Sequence, residues 1–350
     1  MLQIYSISSF AAQGKEQLKM LERLGLKVDP GVDLDDVARH PEKYKDGKRK
    51  PKVKVDKSEL MTNIEQWKKQ AQVAKSELAT GKTGALTELV ELQINAGVDG
   101  LVPCGSTGEA ATLSHAEHQR VVEVTVAAAR GRVHVLAGTG SNNTVEAIQL
   151  TQHAKEAGAD GALLISPYYN RPTQDGIVAH YAEIARRTSF PLVAYNIPGR
   201  TGSNILPSTI ARLAEVDQIV GVKESCGDLN QISHVIASVP DSFSVLAGDD
   251  WATLPMLALG GKGVISTIGN VAPGEMVDLV RAFRAGDIER ARSVHYRLLP
   301  LVDALFCETN PIPVKAALAM RGLIHEELRL PLLPISNGNR ERLQAVLKEL

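Results

Sequence analysis

From Ala85 onward, short apolar runs rich in Val, Ile and Leu alternate with amphipathic stretches of ten to sixteen residues. The apolar runs fall at 98–103, 133–137, 161–165, 192–195, 219–223, 243–247 and 263–266. Runs that are apolar at every position suit strands buried on both faces, and the intervening helical periodicity supplies their covers. Several of the helical stretches open on a capping residue, such as Ser114 or Asn143. The pattern predicts a parallel α/β sheet, either doubly wound or closed into a barrel. Residues 86–95 (LTELVELQIN) form a helix-like segment with no strand of their own before them. Seven strand–helix units plus one orphan helix make an eight-unit count with the first strand missing or replaced. Gly138-Thr139-Gly140-Ser141 lacks the third glycine of a dinucleotide fingerprint, which argues against the open sheet. Residues 85–350 also match the size of a (β/α)8 barrel. The expected organisation is an atypical charged leader over 1–84, partly helical or flexible, a barrel over 85–285, and a C-terminal helical segment over 286–350.

The leader breaks the pattern in charge as well as in periodicity. Residues 1–84 hold 17 Lys+Arg against 12 Asp+Glu, whereas 85–350 hold 22 against 28. Eight basic residues crowd into 43–57 (KYKDGKRKPKVKVDK), which reads as a solvated linker or face, since Tyr44 alone offers a stacking ring. Residues 58–78 read as a polar helix. Gly81-Lys82-Thr83 resembles the end of a phosphate loop, but Ser76 stands where its first glycine is required and no strand precedes it. A strandless orphan helix leaves two sheet edges and a seam whose amides need partners. The best-patterned filler is 52–56 (KVKVD), with 2–6 (LQIYS) as the alternative. The opposing reading has the leader packed outside the barrel.

Across the whole chain, 39 Lys+Arg nearly balance 40 Asp+Glu, so no basic field points to nucleic acid or to an anionic membrane. No apolar run reaches the length of a membrane span, and the N-terminus lacks the layout of a secretory signal. Cys104, Cys226 and Cys307 are too few and too scattered for a disulfide framework or a thiolate metal cage. A reduced, cytoplasmic setting is the expectation, with no metal.

In a βα barrel the chemistry lies at the C-terminal ends of the strands. Gly105-Ser106-Thr107-Gly108-Glu109, Pro167-Tyr168-Tyr169-Asn170, Tyr195-Asn196, Lys223-Glu224 and Gly248-Asp249-Asp250 all fall there. Lys223 ends an apolar strand, so burial would lower its amine pKa and make it a nucleophile towards carbonyls. A lysine that snorkels to solvent or pairs with Glu224 is the plainer alternative. Tyr195 ends the neighbouring strand and would bring a phenol near that amine, as proton shuttle or as aromatic plug. The 105–108 turn offers two hydroxyls and a backbone nest for a small carboxylate. Arg200 could grip a second carboxylate through its planar fork, or form a rim salt bridge.

The segments GSTGEAATLSHAEH, AGTGSNNTVEA, SPYYNRPTQDG, YNIPGRTG, GVKES, LAGDD, GVIS and NPIPVKAAL occur in the order found in the dihydrodipicolinate synthase family. This family lies within the class I pyruvate aldolases and lyases, and the chain resembles it from about Leu86 to Leu350. The resemblance implies a 4-hydroxy-tetrahydrodipicolinate synthase, a lyase of lysine and diaminopimelate biosynthesis that condenses pyruvate with L-aspartate 4-semialdehyde. It implies Lys223 as Schiff-base lysine and a proton relay of Tyr195, Ser106 and Tyr169, the last lent by a neighbouring subunit. Thr107 would join Ser106 at the pyruvate carboxylate, Arg200 would receive the second substrate, and Gly248 and Ile265 would line the pyruvate pocket. The imine replaces any cofactor. A homo-oligomer, a dimer of dimers, follows, as does an L-lysine inhibitory site of His115, His118, Asn142, Glu146 and Tyr168. Two features depart from the family. Ser106 stands where threonine is common, and GSTGE also occurs among sialic-acid lyases. Nothing in 1–84 resembles the family's opening strand. The rival readings are a keto-sugar-acid or sialic-acid aldolase, and a non-catalytic barrel produced by the altered N-terminus.

Overall fold

A computed structural model describes residues 84–350 and two short strands upstream, β1 (Leu26–Val28) and β2 (Val53–Val55). The polar helix expected at 58–78, the rest of the basic run at 43–57, Gly81-Lys82-Thr83 and the 2–6 segment lie outside the described residues. Helix α1 (Gly84–Asn95) is the orphan helix. It leads into a seven-stranded parallel sheet whose strands are hydrogen-bonded in sequence order. These are β3 (Gly100–Leu101), β4 (His134–Gly138), β5 (Gly161–Ile165), β6 (Leu192–Asn196), β7 (Ile219–Glu224), β8 (Ser244–Ala247) and β9 (Gly263–Val264). All seven expected strands are present.

The helices cover the outer face of the sheet. Helix α2 (His115–Ala129) starts on a capping box, with the Ser114 amide donating to Glu117 at 2.8 Å and the Glu117 amide returning to the Ser114 hydroxyl. Asn143 caps α3 (Thr144–Glu156) by accepting from the Val145 amide at 3.0 Å. In α4 (Gln174–Thr188), Ile177, Tyr181 and Ile184 are fully buried in the main core with Leu164, Leu192 and Ala194 of β5 and β6. The Tyr181 hydroxyl, carried into that layer, is satisfied by the Leu164 carbonyl at 2.8 Å. Two small helices, α5 (Pro198–Thr201) and α6 (Pro207–Leu213), follow β6. Helices α7 (Leu229–Ser238), α8 (Thr253–Leu259) and α9 (Pro273–Arg284) follow β7, β8 and β9. Helices α10 (Ile288–Leu305), α11 (Ile312–Met320) and α12 (Asn337–Lys348) bury a second apolar cluster that joins α10 and α11 to α9.

The sheet curls into the barrel. A small inner cluster joins Leu163, Val193 and Tyr195 from the middle strands with Val102, just beyond β3, and Ile265, just beyond β9. Side chains from the two edge strands can meet in one cluster only if the sheet bends round on itself. Polar ties cross the same gap. Arg281 of α9 donates to the Gly97 carbonyl at 2.9 Å, and Gln93 of α1 donates to Asn270 at 3.4 Å. On the opposite end, Arg329 grips Glu117 through both guanidinium nitrogens at 2.9 and 2.8 Å, and Lys315 pairs with Glu109.

Among the described residues, no strand lies between β3 and β9. The seam shows in burial: β6 is buried at every position, whereas Gly100 of β3 is exposed and Val264 of β9 is only half-buried. The expectation that 52–56 fills this gap is corrected. Val53–Val55 is a strand, but it pairs antiparallel with Leu26–Val28 in a separate two-stranded sheet. The physical reason lies in its alternating valines and lysines, which suit a half-exposed ribbon better than a barrel strand buried on both faces.

Candidate active site

Adjacent strands β6 and β7 bring Tyr195 and Lys223 opposite each other in the ladder. The Lys223 Nζ lies 4.4 Å from the centre of the Tyr195 ring. Strand alternation turns Lys223 inward, and the side chain is buried, with no salt bridge to a carboxylate among the described residues. Burial lowers its amine pKa from 10.5 to about 8, a fall that Asp250 and Asp249 partly oppose and Arg200 assists. At pH 7.5 about a quarter of such an amine is free, against about one part in a thousand for an ordinary lysine. Burial also raises the Tyr195 phenol to about 12, so it holds its proton as a donor near neutral pH.

Gly248 follows β8 and anchors its amide on the Glu224 carbonyl at 2.8 Å. A Cβ at this position would stand 2.9 Å from Lys223 Cε and 1.9 Å from the Ser225 hydroxyl, so only glycine leaves room for the lysine chain. Ile265 donates its amide to the Ala247 carbonyl at 2.9 Å and packs its side chain beside Tyr195. Ser106 and Thr107 lie in the turn after β3, both half-buried.

Arg200, on the short helix α5, is exposed and donates to the Asn310 carbonyl at 2.9 Å. Asn310 also reaches the other arm of the site, with its amide nitrogen donating to the Thr107 hydroxyl at 2.9 Å. This buried residue thus ties the two expected carboxylate-binding groups together. It lies in the NPIPVKAAL segment, but no local pattern reveals a link to Thr107 across 203 positions. Asp250 is a second residue without a role in the sequence reading. Buried at the end of β8, it accepts from the Thr267 amide at 3.1 Å, the Ile268 amide at 3.2 Å and the Ser266 hydroxyl at 2.5 Å. It therefore pins the turn that follows β9, which has one strand neighbour among the described residues.

Tyr169 does not join this group within the chain. It stands 89% exposed with a left-handed backbone, φ 69°, its amide on the Thr201 carbonyl. The other five expected residues gather near α2 and α3. The His115 ring donates to Glu146 at 2.8 Å, the Ser141 hydroxyl pairs with the same carboxylate, and Asn142 donates to the Tyr168 carbonyl at 3.1 Å. His118 turns inward, with Nε2 2.7 Å from the Gly138 carbonyl, and burial lowers its pKa. No group of three or more His, Cys, Asp or Glu side chains arranged to hold a metal occurs among the described residues. No helix there is long and apolar enough to cross a membrane.

A parallel barrel whose strand ends bring a desolvated lysine amine over a tyrosine ring has reactive groups where βα-barrel enzymes carry their chemistry. The chain belongs to the dihydrodipicolinate synthetase family, whose sequence profile matches residues 79–350. It is 59% identical over 264 residues to the 4-hydroxy-tetrahydrodipicolinate synthase of Syntrophus aciditrophicus, covering 75% of this chain and 91% of that protein. The crystal structure of dihydrodipicolinate synthase from Aquifex aeolicus superposes with a TM-score of 0.75 at 49% identity, over 76% of this chain and 91% of the other. The enzyme from Cyanidioschyzon merolae, solved with lysine bound, superposes with a TM-score of 0.74 at 38% identity over the same shares.

Proposed function

We propose that the chain condenses pyruvate with L-aspartate 4-semialdehyde through an imine on Lys223, the 4-hydroxy-tetrahydrodipicolinate synthase reaction of lysine and diaminopimelate biosynthesis. The observation that carries this reading is the buried Lys223 amine, lowered to about 8 by desolvation and lying over the Tyr195 ring. The free amine adds to the pyruvate ketone, and loss of water gives the imine. Loss of a methyl proton gives the enamine, whose carbon forms the new bond to the aldehyde. The substrate's own amine then displaces Lys223 and closes the ring.

Tyr195 passes protons with Ser106 and with Tyr169 of a second subunit. The outward stance of Tyr169 supports a residue used by a neighbour, and hence a homo-oligomer, proposed as a dimer of dimers. Ser106 and Thr107 hold the pyruvate carboxylate, Gly248 and Ile265 wall its pocket, and Arg200 takes the carboxylate of the semialdehyde. No organic cofactor or metal enters this scheme, because the protonated imine is itself the electron sink. The compartment proposed is the cytoplasm, in keeping with three unpaired thiols.

A coupled assay on the full chain with pyruvate and L-aspartate 4-semialdehyde tests the reading. Turnover with the semialdehyde supports it. Turnover only when sugar aldehydes replace the semialdehyde would transfer the site to the sugar-acid aldolases, and turnover with neither would leave a non-catalytic barrel.

The proposal extends to feedback by L-lysine. Glu146, steadied by His115 and Ser141, offers a carboxylate for the α-amino group, and the Tyr168 region offers the carboxylate end. The lysine complex of the Cyanidioschyzon merolae relative supports the same ligand. Titration of turnover with millimolar L-lysine is expected to inhibit, and Glu146→Gln to abolish that inhibition while leaving basal activity within about twofold. Flat activity in the parent protein would remove the site.

A further inference from the structure

Ser225 lies one residue past β7 and two past Lys223, so strand alternation turns it to the lysine's own face. It is buried, its amide donates to the Asn196 carbonyl at 2.8 Å, and its hydroxyl oxygen has no hydrogen-bond partner of proper geometry. That oxygen sits over Gly248 beside the end of the Lys223 chain, since a Cβ on Gly248 would meet both. It also neighbours the Tyr195 phenol and the Asp249 carboxyl closely enough to favour the ionised form of each. A buried hydroxyl without a partner is costly to keep, and at a reaction centre its natural partner is a reacting atom. Here the nearest chemistry is the Lys223 amine and whatever bonds to it.

We infer that Ser225 is a further catalytic hydroxyl, which protonates the oxygen leaving as water when the Lys223 carbinolamine collapses to the imine. This rests on the imine reading of Lys223 given above. In that step the nitrogen lone pair of Lys223 forms the C=N bond, the C–O bond breaks, and the departing oxygen takes the Ser225 proton. The Tyr195 phenol, which neighbours Ser225 and holds its proton near neutral pH, gives that proton to the Ser225 oxygen. The products are water, the cationic imine and the Tyr195 phenolate facing it, so atoms and charge balance. Ser225 thereby serves the making of the imine, and the phenolate left on Tyr195 is the base that takes the methyl proton in the next step.

The experiment times imine formation by rapid mixing with pyruvate and borohydride quench, reading modified Lys223 by mass. It uses the full chain, Ser225→Ala and Ser225→Thr, each checked for an unchanged melting temperature. Loss of a positioned acid is expected to slow trapping roughly a hundredfold or more in Ser225→Ala, with the final extent of trapping unchanged. Ser225→Thr, which keeps the hydroxyl, should recover most of the rate. Parent protein that never traps pyruvate would overturn the imine reading and this inference with it. Parent protein that traps normally while Ser225→Ala traps equally fast would overturn the inference alone. Equal slowing in the alanine and threonine variants would also overturn it, because the effect would then follow side-chain shape and not the hydroxyl.

Discussion

Replacing Lys223 with methionine is expected to abolish turnover and, near neutral pH, to make the protein more stable. The loss of activity follows from removing the amine proposed to bond to pyruvate, and should amount to roughly 10⁴-fold or more in kcat. The gain in stability follows from the price of a buried cation. Folding lowers the amine from 10.5 to about 8, so the native state holds its proton less tightly than the unfolded chain does. Below pH 8 both states carry the proton and the penalty is present in full, about 3 kcal/mol as an upper figure. Between pH 8 and 10.5 the native amine sheds its proton while the unfolded one retains it, so stability rises with pH across that window. Methionine has a similar length and no charge, and it fills the same channel beside Gly248. Denaturant melts of the two proteins at about pH 7 and about pH 10 check this, since groups common to both cancel. The methionine variant should be the more stable at the lower pH, and its advantage should shrink at the higher one. A variant that is equally active, or less stable at neutral pH, contradicts the burial argument.

Arg200→Ala should cost less but act more selectively. Its guanidinium is exposed in the free chain and tethered by one bond to the Asn310 carbonyl, leaving most of the fork open for a carboxylate. Removing a charged fork that closes on its partner costs roughly 2–5 kcal/mol of transition-state binding, or about thirty- to several-thousand-fold in kcat/KM. The loss should appear against the semialdehyde, with the KM for pyruvate within about threefold of the parent value. Steady-state kinetics with each substrate varied in turn decide it. An unchanged kcat/KM for the semialdehyde, with pyruvate binding lost, would move Arg200 to the other end of the site.

Much of this was legible in the sequence because parallel strands buried on both faces leave continuous apolar runs. Gly161–Ile165 is the same five residues in the sequence reading and in the structure, since both of its neighbours are strands and both of its faces are covered. The edge strands are shorter than their apolar runs. The apolar run at 98–103 yields a ladder of only Gly100–Leu101, because among the described residues it has a partner on one side alone and matches β4 at just those two positions. The leader's strand was visible in its alternation, yet its partner was not, since pairing is decided by where the chain returns and not by the pattern of one segment. The polar ends of strands pointed to Lys223, Tyr195 and Gly248, because the barrel sends every such end to one mouth. Asn310 escaped notice for the opposite reason. It comes from beyond the barrel, and its bonds to Thr107 and Arg200 exist only once the C-terminal helices have docked. Ser225 escaped because a serine beside a lysine carries no signal until burial removes its other partners.

The central claim is that a lysine at the barrel mouth carries the substrate covalently. Borohydride reduction of the full chain in saturating pyruvate, followed by proteolysis and mass spectrometry, tests it directly. One reduced pyruvyl group per chain is expected, located on the peptide containing Lys223 and absent without pyruvate. Folded protein whose Lys223 peptide stays unmodified, or whose label sits on another lysine, would contradict it.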